Sequence, residues 1–226
     1  MNDYQLWHHF EAIVNDCSPR RHLAINRYQN IDESKYFRKP TPNHNCTVVT
    51  LGIGRDIVAE RQLKSDHPQC RFVGADPVQF INELLYREIG EYHKIAISTR
   101  NGSIETLVYR GDNYTSESVK SVDLPYFLRD TVGSTVIDLL LVDVEYVEYD
   151  MFSYFLDSNS SLEQQGITVC QVNMEVHIPK EENHKLKFAS FIRRLLADRR
   201  FYLIEASDFD NNKRLYFARV DHLECL

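Results

Sequence analysis

Three short blocks of the sequence hold the side chains best suited to chemistry. In the first, Asp143 and Glu145 close an apolar run over 136–144. Residues two apart on a strand share a face, so both carboxylates face one crevice. In open α/β sheets that crevice lies beyond the C-terminal ends of the strands. Two like charges buried there need a compensating partner. Glu148 and Asp150 follow at the start of a helix-like stretch, where negative charge complements the helix dipole, and they read as structural. In the second block, Asn173, Glu175 and His177 alternate with Val172, Met174 and Val176, so the polar set shares one strand face. His177 titrates near neutrality and is the first candidate for a general base, with Asp143 the second. Glu175 is expected to orient His177 or to help bind the substrate. Asp143, Glu145, Glu175 and His177 would also suit Mg²⁺ or Mn²⁺ by ligand hardness, but the proton-transfer reading is preferred and no metal is expected.

The third block is the pair TLGIGRD (50–56) and FVGADP (72–77). Gly52 and Gly54 follow an apolar strand and open a helix, where a ligand can approach backbone N–H groups. Asp76 ends the next strand, about 20 residues on, the position from which an acid accepts hydrogen bonds from ribose hydroxyls. The chain has Ile57 where a dinucleotide fingerprint would carry its third glycine, and Asp56 at the helix mouth would repel a pyrophosphate. A nicotinamide-dependent oxidoreductase is therefore disfavoured, and a nucleoside without that anion is favoured.

These blocks must be held by alternating elements. Strand-like runs fall at 46–52, 71–76, 93–98, 136–144, 167–176, 201–207 and 215–220, with helix-like stretches at 57–65, 82–86, 124–130, 149–156 and 185–197. That alternation predicts βαβ units and a mainly parallel sheet. Two strand-like segments without a helix between them, 103–110 and 116–122, predict an inserted ribbon. The turn-rich DFDNNKR between the last two strands predicts a C-terminal antiparallel hairpin. Residues 3–16 carry apolar side chains at helical spacing, and the tract at 39–45 is rich in Pro and Asn. The expected division is an N-terminal helical appendage over 1–45 and a main α/β domain over 46–226.

Composition sets the outer limits. The 226 residues are 43% hydrophobic with a net charge of −7, which suits a globular chain and argues against nonspecific nucleic-acid binding. No run approaches the roughly 20 apolar residues of a membrane span, and no secretory signal is visible at the start. The five cysteines are scattered without metal spacing, so they are expected to be reduced and the protein cytoplasmic.

The blocks TLGIGRD, FVGADP, HKIAIST (93–99), VKSVDLPYFL (119–128), LLVDVEYVEYDMF (140–152) and CQVNMEVH (170–177) occur in an order that resembles FkbM-type methyltransferases, most closely the divergent FkbM-like proteins of nematodes. The resemblance implies a class I, Rossmann-like fold with a seven-stranded sheet, S-adenosyl-L-methionine as cofactor, and O-methylation of a small-molecule, sugar or glycolipid hydroxyl. By the same resemblance Gly52 and Gly54 match the turn beside the methionine and ribose, Asp76 the ribose acid, Ala96 and Ile97 the segment beside the adenine, and Asp143 and Glu145 the Asp-x-Glu element facing the sulfonium. Asn82 matches an asparagine of unassigned role. Thr50 stands where the family carries an acid and Tyr146 where it carries glycine, so a catalytically inactive cofactor-binding module is the alternative.

Overall fold

The computed structural model describes residues 3–18, 23–31, 33–39, 46–109, 113–156 and 159–226. Helix α1 spans Asp3–Cys17 and is followed by a hairpin, β1 (Ile25–Gln29) and β2 (Ser34–Arg38). Then come β3 (Thr47–Leu51), α2 (Val58–Asp66), β4 (Arg71–Ala75), α3 (Gln79–Tyr86), β5 (Glu91–His93) and β6 (Ala96–Ser98). A ribbon, β7 (Gly102–Tyr109) and β8 (Tyr114–Asp123), leads to α4 (Leu124–Tyr126), which runs on as a π-helical turn over Phe127–Val132. Strands β9 (Val136–Ile137) and β10 (Leu139–Val142) precede the short helices α5 (Glu148–Met151), α6 (Ser153–Leu156) and α7 (Ser161–Gln164). The chain closes with β11 (Thr168–Val169), β12 (Gln171–Val176), α8 (Glu182–Asp198), β13 (Phe201–Phe209) and β14 (Asn212–Arg219).

The main sheet has seven strands in the order β13-β14-β12-β10-β3-β4-β5. Strands β12, β10, β3, β4 and β5 pair in parallel, and β14 runs antiparallel between β12 and β13. Both the parallel body and the antiparallel C-terminal hairpin expected from the sequence are present, giving an α/β, Rossmann-like architecture. The expected ribbon is β7–β8, which forms a separate three-stranded sheet with β6. Two runs that read as single strands are each divided. Asp138 separates β9 from β10, and its carboxylate accepts the Thr47 N–H at 2.7 Å. Cys170 separates β11 from β12.

Successive residues of the central strands alternate between two cores, as burial on both faces requires. Val49, Leu51, Leu140 and Val142 face α1 and α4–α8, while Val48, Leu139 and Leu141 face α2 and α3. The N-terminal segment enters both. Leu6, Trp7, Phe10 and Val14 of α1 lie in the first core, with Phe188 of α8 edge-on to Trp7 at 4.8 Å. Phe37 of β2 is fully buried in the second. The sequence shows only polar loop where β1 and β2 stand, and the Pro-rich boundary at 39–45 lies, from residue 40 to 45, outside the described residues.

Cysteine pairing differs from expectation. Cys46 is bonded to Cys70, joining the starts of β3 and β4, and Cys170 is bonded to Cys225, joining the start of β12 to the C-terminal turn. Cys17 is the free one. The partners lie 24 and 55 positions apart in sequence, so no local motif marks them; the sheet register brings them together. Disulfides persist in oxidising surroundings, so the cysteines no longer support a cytoplasmic assignment. Among the described residues no helix is long and apolar enough to cross a membrane.

Candidate active site

The turn after β3 is shaped by backbone requirements. Gly52 has φ +78°, and a Cβ there would lie 1.8 Å from the Asp143 carbonyl oxygen, so only glycine allows β3 and β10 to end side by side. Gly54 and Arg55 also adopt left-handed φ, at 62° and 67°. Two buried side chains from the β4–α3 region hold this turn. Asp76 Oδ2 accepts the Ile53 N–H at 2.8 Å, and Asn82 Oδ1 accepts the Arg55 N–H at 3.0 Å. Asn82, whose role the sequence left open, therefore fixes the turn. Burial raises the Asp76 carboxyl, opposed by its N–H donors from Ile53, Val78 and Gly54 and by Asn82. Each Asp76 oxygen already accepts one peptide N–H, Oδ1 from Val78 at 2.7 Å.

All seven residues expected to bind the cofactor line one cavity of about 270 Å³: Gly52, Gly54, Asp76, Ala96, Ile97, Asp143 and Glu145. Ile104, from the inserted ribbon, and Val144 and Val147, beyond β10, add apolar surface. The wall is thus apolar on one side and carries acids at two places. A nucleoside joined to a cationic group suits that distribution. Thr50 lies apart from the cavity, buried and accepting a hydrogen bond from the Tyr86 hydroxyl at 2.9 Å.

A second cavity of about 500 Å³ adjoins the first and shares Gly52, Gly54, Asp143 and Glu145 with it. His177 stands in its wall, just past the end of β12. Its Nε2 is 3.7 Å from Asp143 Oδ1 and 3.5 Å from Glu145 Oε2. Its other face is held by Glu148, whose Oε1 accepts the His177 backbone N–H at 2.8 Å and contacts Nδ1 at 3.0 Å. The Tyr149 hydroxyl donates to the His177 carbonyl at 2.5 Å. Burial alone would depress the imidazolium, but the hydrogen bond and charge of Glu148, with Asp143 and Glu145, outweigh it and push His177 up to about 9. Asp143 stands exposed at the junction of the cavities; desolvation by the surrounding protein, then the Glu175 charge, raise its carboxyl, His177 opposes this, and Glu145 and Glu33 reinforce it.

The structure thus brings Asp143, Glu145 and His177 together as expected and gives Glu175 a different partner. Glu175 Oε2 accepts from Arg214 Nε at 2.8 Å and Oε1 from Asn212 at 2.6 Å. The carboxylate that orients His177 is Glu148, completely buried on α5, and not the exposed helix-start charge expected from the sequence. Its Oε2 has no hydrogen-bond partner among the described residues. Asp150, read the same way, pairs with Lys187 at the surface. Among the described residues no group of three or more His, Cys, Asp or Glu side chains is arranged to hold a metal ion.

Glu145 and Tyr146 both have left-handed φ, 46° and 75°. Tyrosine at the second position is therefore strained, at the place where the sequence resemblance implies glycine. The Tyr146 ring lies 5.1 Å from the His177 ring and under Lys180 Nζ at 3.4 Å. The outer part of the second cavity includes residues of both hairpins. Glu33, Lys35 and Tyr36 stand on the β1–β2 side, and Asp210, Asn212 and Arg214 on the β13–β14 side.

The methyltransferase FkbM domain model matches residues 2–203. No curated protein sequence matches the chain. Among solved structures, TrmN from Thermus thermophilus aligns at 11% identity and TM-score 0.42 over 78% of this chain and 44% of its own, so the chain spans less than half of it. A putative rRNA methylase from Clostridium thermocellum aligns at 9% identity and TM-score 0.43, over 79% of this chain and 89% of its own. Aeropyrum pernix fibrillarin, solved with S-adenosyl-L-methionine, aligns at 11% identity and TM-score 0.41, over 77% and 67%.

Proposed function

The chain belongs to the FkbM methyltransferase domain family, and we propose that it transfers a methyl group from S-adenosyl-L-methionine to a hydroxyl oxygen of a small-molecule or carbohydrate acceptor. The observation that carries this reading is the junction of the two cavities at Gly52, Gly54, Asp143 and Glu145, with His177 on the acceptor side. S-adenosylmethionine supplies a methyl group on a positively charged sulfur that leaves as a neutral thioether.

The chain's own residues do the rest. Asp76 accepts from the ribose hydroxyls, and Ala96, Ile97 and Ile104 cover the adenine. Asp143 and Glu145 stabilise the positive end of the donor. His177 Nε2 takes the hydroxyl proton as the new oxygen–carbon bond forms, and Glu148 holds the ring for that task. The carboxylates of Glu148, Asp143 and Glu145 around it favour the imidazolium form of His177. A cation set against Asp143 and Glu145 weakens their hold on the imidazolium, so donor binding itself lowers the His177 pKa and frees the base. Holding donor and hydroxyl in line is worth up to roughly 7–11 kcal/mol of barrier.

Calorimetric titration tests the first half: S-adenosylmethionine binds, NAD does not, and Asp76→Ala weakens binding at least tenfold. Unchanged affinity in that variant rejects the ribose assignment. Incubation with labelled donor and small-molecule extracts tests the second half, with His177→Asn expected to lose at least a hundredfold in turnover. The favoured imidazolium form of His177 supports one alternative, a binding-only module. Tight donor binding with no labelled product from any acceptor pool, at any pH up to 9, would establish it.

A further inference from the structure

We propose that the chain is an N-glycoprotein of an oxidising secretory compartment, with glycans on Asn101, Asn113 and Asn159. The sequence holds four Asn-x-Ser/Thr triplets with no proline between: Asn45-Cys46-Thr47, Asn101-Gly102-Ser103, Asn113-Tyr114-Thr115 and Asn159-Ser160-Ser161. That triplet is the acceptor pattern for an N-linked glycan. It counts only in a chain that travels the secretory route, and only where the asparagine stands exposed in a turn. Both conditions are read from the fold, and neither depends on the methyl-transfer reading.

The disulfides meet the first condition. Cys46–Cys70 and Cys170–Cys225 engage all the cysteines except Cys17, and such bridges persist in oxidising surroundings. Placement meets the second. Asn101 lies in the bend between β6 and β7, Asn113 directly before β8, and Asn159 in the turn between α6 and α7; all three are exposed. Two of them use an oxygen, not the amide nitrogen that carries the sugar. Asn101 Oδ1 accepts the Asp123 N–H at 2.9 Å, a bond that a substituted amide still makes, and the Asn159 carbonyl accepts from Gln164 Nε2 at 2.9 Å. None of the three lines either cavity, so glycans there leave both cavities open. Asn45 is set aside: it lies outside the described residues, and Cys46 and Thr47 after it are buried, the first of them bonded to Cys70. Two of the sites also answer a physical need. Strand β7 is the outer strand of the sheet β6-β8-β7, so one row of its peptide groups faces no strand of that sheet. Asn101 stands just before β7, and Asn113, next to the Tyr114 that pairs with Tyr109, stands beyond its other end. Bulky polar groups at both ends of an outer strand hinder another chain from pairing with it.

The modification is a group transfer. The amide nitrogen bonds to C1 of the first sugar of a lipid diphosphate-linked oligosaccharide. The bond from that carbon to the diphosphate oxygen breaks, the amide loses one proton, and the lipid diphosphate leaves. The test is mass spectrometry on the full chain recovered from its own cells with thiols blocked, before and after peptide N-glycosidase, which leaves aspartate where a glycosylated asparagine stood. Enzyme-dependent conversion is expected at Asn101, Asn113 and Asn159, and Cys46, Cys70, Cys170 and Cys225 are expected to escape the thiol label. The Asn101-Gly102 dipeptide also deamidates spontaneously, so the untreated sample sets the background. In chain secreted by a eukaryotic host, Asn113→Gln and Asn159→Gln should each remove one mobility step. Ser103→Ala, Thr115→Ala and Ser161→Ala keep the asparagine and remove only the hydroxyl, and each should remove one step as well, even where a glutamine variant fails to fold. Conversion at fewer than two of the three positions, labelled thiols at those four cysteines, or mobility steps that survive loss of the hydroxyl overturns the proposal.

Discussion

The two ends of the parallel strands are built on opposite terms. At their starts the strands are tied by fixed links: Cys46–Cys70 clamps β3 to β4, Cys170–Cys225 anchors β12, and the Asp138 carboxylate accepts the Thr47 N–H. At their finishes the same strands release the chain into left-handed backbone at Gly52, Gly54, Arg55, Glu145 and Tyr146, and into a knot of carboxylates around His177. Strain and like charge collect where a ligand is to be held, and stability is supplied at the other pole.

Breaking the clamped end should give the largest effect. Replacing Cys170 and Cys225 together by serine opens a loop of sequence separation 55 and is expected to cost about 4 kcal/mol of unfolding free energy by chemical denaturation. S-adenosylmethionine affinity should change less than threefold; a parallel fall in affinity would show that the two poles are not separable.

The next effect belongs to the charged end. His177 is raised from 6.5 to about 9, so its contribution to stability is complete below pH 6.5 and is lost as pH rises to about 9. The raised Asp143 carboxyl acts in the same sense, beginning from lower pH. The melting temperature should therefore fall by several degrees between pH 6.5 and 9, and His177→Asn should flatten that slope. A melting temperature that is constant over this range in the parent protein would contradict the assigned ion cluster.

The smallest effect concerns strain. Tyr146→Gly removes a side chain from left-handed backbone and should raise stability by about 1 kcal/mol, while weakening acceptor binding through loss of the ring beside His177. A destabilised variant would mean that the ring's packing against His177 and Lys180 outweighs its backbone strain.

Much of the site was legible because it follows from strand periodicity. Gly52, Asp76, Asp143 and His177 sit at strand ends, and a period of two with a C-terminal crevice is enough to bring them together. What escaped reading depends on register or on long-range packing. Glu148 looks like a helix-start charge until β12 is set beside α5, and only then does its carboxylate meet the His177 amide and ring. Glu175 lies on the expected face, yet the antiparallel pairing with β14 puts Arg214 opposite it. The β1–β2 hairpin is hard to read because its few buried aromatic residues are interleaved with polar ones and its partners are side chains far along the chain. The disulfides were hidden for the same reason.

That hairpin is docked in an unusual manner. Asn173 accepts from and donates to the Tyr36 backbone, each at 2.8 Å, and Gln171 does the same with Arg38 at 2.7 and 2.9 Å, so two side-chain amides imitate a neighbouring strand. These partners are separated by 137 and 133 positions. During synthesis the first hairpin must wait for most of the polypeptide to emerge before it can settle, and the chamber it roofs cannot close until β12 has been made.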